Sequence, residues 1–169
     1  MLRKRTFLIF ALKALALLAL VLIGGCDRGS RPQLVGQTAP TFAVQDADRR
    51  VDLHELRGKV VVLNFWATWC PPCVEEMPSL VAMQKQMRDK VTVLAISTDQ
   101  DKAAYDRFIR EKNIALLTVR DPEYKSSELY GTFRYPETYI IDAQGVLRRK
   151  FIGPVDWTKP EIIDYLSKL

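Results

Sequence analysis

The densest apolar stretch beyond the N-terminus is KVVVLNFW, residues 59–66, where nearly every position is hydrophobic. A strand covered on one face alternates apolar and polar residues. A near-continuous β-branched run is instead expected to be a central strand covered on both faces. Residues 91–97 have the same character. Between the two runs, residues 71–87 read as a helix with Leu80, Met83, Gln84 and Met87 along one side. Residues 101–112 read as a second amphipathic helix, with Tyr105, Phe108 and Ile109 on its stripe. A strand is expected over 115–119 and a short helix over 124–130. Residues 138–141 and 146–152 flank Asp142-Ala143-Gln144-Gly145, a hairpin signal. Residues 159–168 form a closing helix with Pro160 in its first turn. Ahead of all these, 42–45 and 51–53 are strand candidates around a charged turn. The order is β-β, then β-α-β-α-β-α-β-β-α. It predicts an α/β domain over 41–169, a central mixed sheet flanked by helices, with an N-terminal β extension.

The first 25 residues do not belong to that pattern. A short basic start is followed by an apolar run from Thr6 to Ile23, broken only by Lys13. This is the layout of a secretory signal peptide. Leu22-Ile23-Gly24-Gly25-Cys26 resembles a bacterial lipobox, so residues 1–25 are expected to be removed and Cys26 to carry lipid. An uncleaved transmembrane anchor is the alternative, since about 18 apolar residues can span a bilayer. Both readings place the domain outside the cytoplasm, on the cytoplasmic membrane. Asp27 after the cysteine resembles an inner-membrane retention signal. Residues 26–40 are polar, contain Gly, Ser and Pro, and read as a tether.

The net charge of +5 over 169 residues suggests a nucleic-acid partner. Arg3, Lys4, Arg5 and Lys13 lie in the N-terminal segment with no acid among them. The remainder is nearly neutral and has no basic block, so no nucleic-acid partner is expected.

The three cysteines split into Cys26 and the pair Cys70 and Cys73. Trp69-Cys70-Pro71-Pro72-Cys73 follows a buried strand and opens a helix. Two intervening residues over a first helical turn bring two sulfurs within a bond length of about 2.05 Å. Cys70 is expected at the helix N-terminus, where unpaired N–H groups and the dipole favour the thiolate, the nucleophilic form. Pro71 and Pro72 lack N–H groups that have no helical partner there. Cys73, one turn in, is expected to be more buried and to resolve the mixed disulfide. A permanent disulfide across so short a loop would stabilise weakly. A zinc site needs about four ligands. His54 is the only histidine, expected to face solvent in a turn. No metal and no cofactor is expected, and the domain is expected to be monomeric.

The run VLNFWATWCPPCVEEMP, residues 62–78, resembles the signature of the TlpA/ResA/CcmG group of extracytoplasmic thioredoxin-like proteins. The resemblance extends from about Val35 to the C-terminus. It implies a thioredoxin fold and membrane-tethered thiol–disulfide exchange, commonly as a reductant in cytochrome c maturation. The implied partners are protein disulfides, with apocytochrome c the family-level client, and a membrane thiol donor of electrons. Tyr135-Pro136-Glu137-Thr138 resembles the segment that holds a cis-proline beside the active site. Such a bond is far more accessible before proline than elsewhere. It would present the Tyr135 backbone to a substrate peptide. Trp69 is expected to join that docking surface, whereas Trp66 is expected in the core. The sequence does not place Trp157.

Glu76 lies three residues after Cys73 and so projects from the same helix face. In the group a glutamate here is linked to proton handling. Thioredoxins proper use a buried aspartate on the preceding strand. Asn64 stands there and cannot titrate, which makes Glu76 the better candidate for the proton acceptor. The alternative is an ordinary first-turn acid complementing the helix dipole. Glu75 is expected to face solvent, and Pro78 to kink the helix without catalytic consequence.

Three other functions compete. A peroxiredoxin-like antioxidant needs a threonine three residues before its cysteine, and Ala67 and Cys70 occupy those positions. A copper-delivery protein of the same fold uses a wider cysteine spacing and a later histidine, and none follows Cys73. A disulfide-forming oxidant needs a very acidic nucleophile, with a pKa near about 3.5.

Overall fold

The computed structural model describes residues 34–169. The signal-peptide and lipidation expectations on residues 1–26 lie outside them. The elements are β1 (Ala43–Gln45), β2 (Arg50–Asp52), a 3₁₀ turn (Leu53–Leu56), β3 (Val60–Trp66), α1 (Pro71–Gln86), β4 (Val91–Ser97), α2 (Lys102–Glu111), β5 (Leu117–Arg120), α3 (Lys125–Leu129), β6 (Glu137–Ile141), β7 (Leu147–Ile152) and α4 (Pro160–Ser167). The five-stranded sheet runs β5-β4-β3-β6-β7. The first three strands are parallel, and β6 and β7 pair antiparallel. This is the mixed sheet and the N-terminal β extension expected from the pattern.

All seven residues of β3 are buried, which is why its sequence does not alternate. Side chains still point to opposite faces in turn. Val60, Val62 and Trp66 face one core with Cys73, Met77, Leu80 and Met83 of α1, Tyr105 of α2, and Ile162 and Leu166 of α4. Val61, Leu63 and Phe65 face a second core with Val44, Val51, Leu53, Tyr130 and Tyr139. Three helices thus cover one face, while the β1–β2 hairpin, the 3₁₀ turn and the residues after α3 cover the other. Each large apolar side chain so buried contributes roughly 1.5–3 kcal/mol. Trp66 is fully buried, as expected.

Local chemistry explains the element ends. Asp101 caps α2, its Oδ1 accepting from the N–H groups of Ala103 (2.8 Å) and Ala104 (3.1 Å). Asp142 shapes the β6–β7 hairpin, its Oδ1 accepting from Gln144 N–H (3.0 Å) and Val146 N–H (2.8 Å). Gly145 takes a φ of +82° there, a value that disfavours any side chain. Helix α1 runs through Pro78 to Gln86.

Three boundaries differ from the sequence reading. The 3₁₀ turn has no counterpart in the hydrophobic pattern; Asp52 caps it by accepting from His54 N–H (3.0 Å). His54 itself is exposed. Strand β5 begins at Leu117 rather than 115, because Ala115 is exposed and Leu117 is the first residue paired with β4. The domain also begins before residue 41. Gly36 and Ala39 N–H donate to the Leu147 and Gly145 carbonyls (2.7 and 2.8 Å), and Leu147 N–H donates back to the Gln37 carbonyl (2.9 Å). Gly, Ser and Pro suggest a linker through residue 40, but residues 36–39 cover the start of edge strand β7.

Candidate active site

Strand β3 ends at Trp66, and a tight turn closed by Cys70 N–H to the Ala67 carbonyl (3.2 Å) leads into α1. Cys70 is the N-cap residue of α1, with Pro71 and Pro72 at the first two helical positions. Cys70 and Cys73 form a disulfide with an S–S distance of 2.12 Å. Cys70 is 5% exposed and Cys73 1%, the order expected of attacking and resolving thiols.

One detail of the sequence reading changes. The first N–H groups of α1 do not point at the Cys70 sulfur. Pro71 and Pro72 have none, and those of Cys73 (3.0 Å) and Val74 (3.1 Å) donate to the Cys70 carbonyl. The helix dipole remains available to a Cys70 thiolate.

Glu76 is 3% exposed and lies on the buried face of α1 with Cys73, whereas Glu75 is exposed, as expected. The Glu76 Oε1 accepts from the Trp157 indole Nε1–H (2.5 Å) and from Val155 N–H (3.2 Å). Its Oε2 has no hydrogen-bond partner among the described residues. Burial pushes the Glu76 carboxyl up to about 7, and the hydrogen bonds from Trp157 and Val155, with the Asn64 side chain beside the carboxyl, offset only part of that rise. Asn64 is fully buried on β3 and donates through Nδ2 to Thr138 Oγ1 (2.9 Å). Trp157, which no sequence pattern places, is fully buried. The same loop is fastened to α1 a second time, by Trp157 N–H to Ser79 Oγ (3.2 Å).

The Tyr135–Pro136 peptide is cis, as the resemblance implied. Trp69, 59% exposed, packs edge-on against Tyr135 with ring centroids 6.0 Å apart. The sequence-predicted residues Trp69 and Tyr135 are therefore in contact, beside the turn that carries Cys70. Sequence reasoning missed the support under this loop. Glu137 is fully buried; its Oε2 accepts from Lys150 Nζ (2.7 Å) and Tyr139 OH (2.8 Å). Its Oε1 accepts from the N–H groups of Phe133 (3.3 Å) and Arg134 (3.2 Å). A carboxylate between Pro136 and an apolar strand was the available signal.

The chain resembles known proteins along this whole domain. The model of the AhpC/TSA family matches residues 35–150. Thiol-disulfide oxidoreductase ResA of Bacillus cereus is 32% identical over 137 residues, 80% of this chain and 78% of the relative. Thiol:disulfide interchange protein DsbE of Pseudomonas aeruginosa is 35% identical over 160 residues, 90% of this chain and 87% of the relative. The crystal structure of the exposed lipoprotein thioredoxin of Streptococcus pneumoniae superposes with a TM-score of 0.66 at 28% identity, covering 77% of this chain and 100% of that one. With that family model spanning most of the described domain and a redox-competent cysteine pair at its centre, the chain belongs to the AhpC/TSA family of thioredoxin-like proteins and is a thiol–disulfide oxidoreductase.

Proposed function

We propose that the protein is a lipid-anchored reductant of protein disulfides outside the cytoplasm, with apocytochrome c as its client. The observation that carries this reading is Glu76, a buried carboxyl with a pKa near 7 one turn from Cys73. Such a group can accept a proton at neutral pH.

In the reduced protein, the Cys70 thiolate attacks one sulfur of the client disulfide. The client's other sulfur leaves as a thiolate and takes up a proton. Cys73 gives its proton to Glu76, and the resulting thiolate attacks the Cys70 sulfur of the mixed disulfide. The second client sulfur leaves and is protonated in turn. Two electrons have passed to the client, and the protein is left with the Cys70–Cys73 disulfide. A membrane thiol donor then restores the reduced pair. Trp69, Tyr135 and Pro136 form the surface on which an extended client segment docks.

The paired prolines support the reducing direction. A strong oxidant stabilises its nucleophilic thiolate heavily. Here two of the N–H groups that could do so are absent and the next two are committed to the Cys70 carbonyl. Ala67, three residues before Cys70, is buried and offers no hydroxyl to a peroxide. The equilibrium reduction potential of the pair tests the direction: a reductant lies well below the roughly −120 mV of a strongly oxidising pair.

The anchor rests on Cys26 within Leu22-Ile23-Gly24-Gly25-Cys26, and the pneumococcal lipoprotein lends it support. Among the described residues no helix is long and apolar enough to cross a membrane. Cys26→Ser is expected to accumulate as an unlipidated precursor of higher mass. A processed protein that still partitions into detergent in that mutant would remove the lipoprotein assignment.

A further inference from the structure

A buried carboxylate that the exchange chemistry does not use sits against the turn that presents Cys70. Strands β3 and β4 run parallel, and their last paired residues are Trp66 and Ser97. Just beyond, Thr98 donates to the Trp66 carbonyl through its N–H (3.0 Å) and its hydroxyl (3.3 Å). Asp99 follows, 2% exposed, with its side chain turned back toward β3. Its Oδ2 accepts from Thr68 N–H (2.9 Å) and Ser97 hydroxyl (2.6 Å), and its Oδ1 accepts from the Thr68 hydroxyl (2.6 Å). Two of the three bonds therefore end on the residue that precedes Trp69.

We propose that Asp99 and Thr68 are positioning residues that fix how Trp69 and Cys70 are presented to a protein disulfide. Trp66 and Thr68 are both tied to residues 98–99, and Ala67 is tied to Cys70. The turn thus has little freedom except at Trp69, which leans on Tyr135. Asp99 is itself held. Arg120, 8% exposed, donates through Nη1 to the Asp99 carbonyl (3.1 Å) and the Gln100 carbonyl (3.2 Å). The chain of contacts runs from Arg120 on β5 through Asp99 to Thr68 and the redox turn. Carboxylate chemistry suits the role, because both oxygens accept at once. An asparagine would offer one accepting oxygen, so at least one of the bonds from Thr68 or Ser97 would be lost or reversed. The proposal rests on disulfide exchange at Cys70 and Cys73 and is independent of the direction of electron flow.

The test compares Thr68→Val, Thr68→Ser and Asp99→Asn with the parent protein, using the reduction of insulin disulfides with dithiothreitol as the electron donor, at a temperature where circular dichroism finds all four folded. Thr68→Val removes one hydroxyl and keeps the Thr68 N–H bond. It is expected to lower kcat/KM about tenfold, mainly through KM. Thr68→Ser is expected to restore the parent value, and Asp99→Asn to lose more than Thr68→Val. Alkylation of reduced Cys70 by iodoacetamide should stay within about twofold throughout, because a small reagent does not need the docked geometry. Parent-like kcat/KM in Thr68→Val, or an equal loss in Thr68→Ser, would overturn the proposal. So would a parallel fall in the alkylation rate, which would assign the effect to thiol reactivity rather than presentation.

Discussion

Cys73→Ser is expected to turn the reduced protein from a catalyst into a trap. Cys70 can still attack a client disulfide, but no second thiol stands beside the mixed disulfide to release it. Intramolecular attack by a positioned group is worth effective concentrations on the order of 10⁵ M or more. Turnover should therefore fall at least about a thousandfold. A covalent client adduct should accumulate and dissolve on adding dithiothreitol. Cys70→Ser should form no such adduct. Non-reducing gels with an oxidised protein substrate read both outcomes. An adduct on Cys70→Ser and none on Cys73→Ser would exchange the two roles, against the greater burial of Cys73.

The second large effect concerns pH. The Glu76 carboxyl is held up near 7 in the folded, oxidised protein, against 4.5 for an ordinary glutamate, because burial disfavours its charge. Between those values the folded chain holds a proton that the unfolded chain has released. Stability must then fall as pH rises from about 4.5 through 7, and level off above. The whole shift corresponds to about 3 kcal/mol. Urea unfolding of the oxidised protein across this range should record that loss, and Glu76→Gln should remove most of it. The same substitution should flatten the pH dependence of thiol exchange, since Cys73 would lose its proton acceptor. A parent-like pH profile in Glu76→Gln would reduce Glu76 to an anchor for the Val155–Trp157 loop.

The elements were legible where burial is written locally. A strand covered on both faces needs a continuous apolar run, and β3 and β4 have one. Helix α2 carries its stripe and its Asp101 cap within a dozen residues. The cysteine pair, the proline before β6 and Glu76 could be read because motif and spacing lie within a few residues of one another.

The missing parts depend on contacts distant in sequence. Trp157 reaches Glu76 across 81 positions, and no local pattern reports such a pairing. Asp99 and Glu137 look in sequence like the polar ends of strands. Their roles appear only when the sheet brings Thr68 and Lys150 to them. The segment before residue 41 is deceptive for a related reason. Its composition is that of a linker, but its hydrogen-bond partners lie at the start of β7 and in the turn before it, far along the chain.

The reducing assignment at Cys70 and Cys73 is tested most directly by the equilibrium reduction potential of the pair. The fraction oxidised would be followed at pH 7 in defined thiol–disulfide buffers. A potential at or below about −200 mV is expected, the range from which the pair can reduce extracytoplasmic disulfides when supplied with electrons. A value near about −120 mV, that of a strong disulfide-forming oxidant, would contradict it.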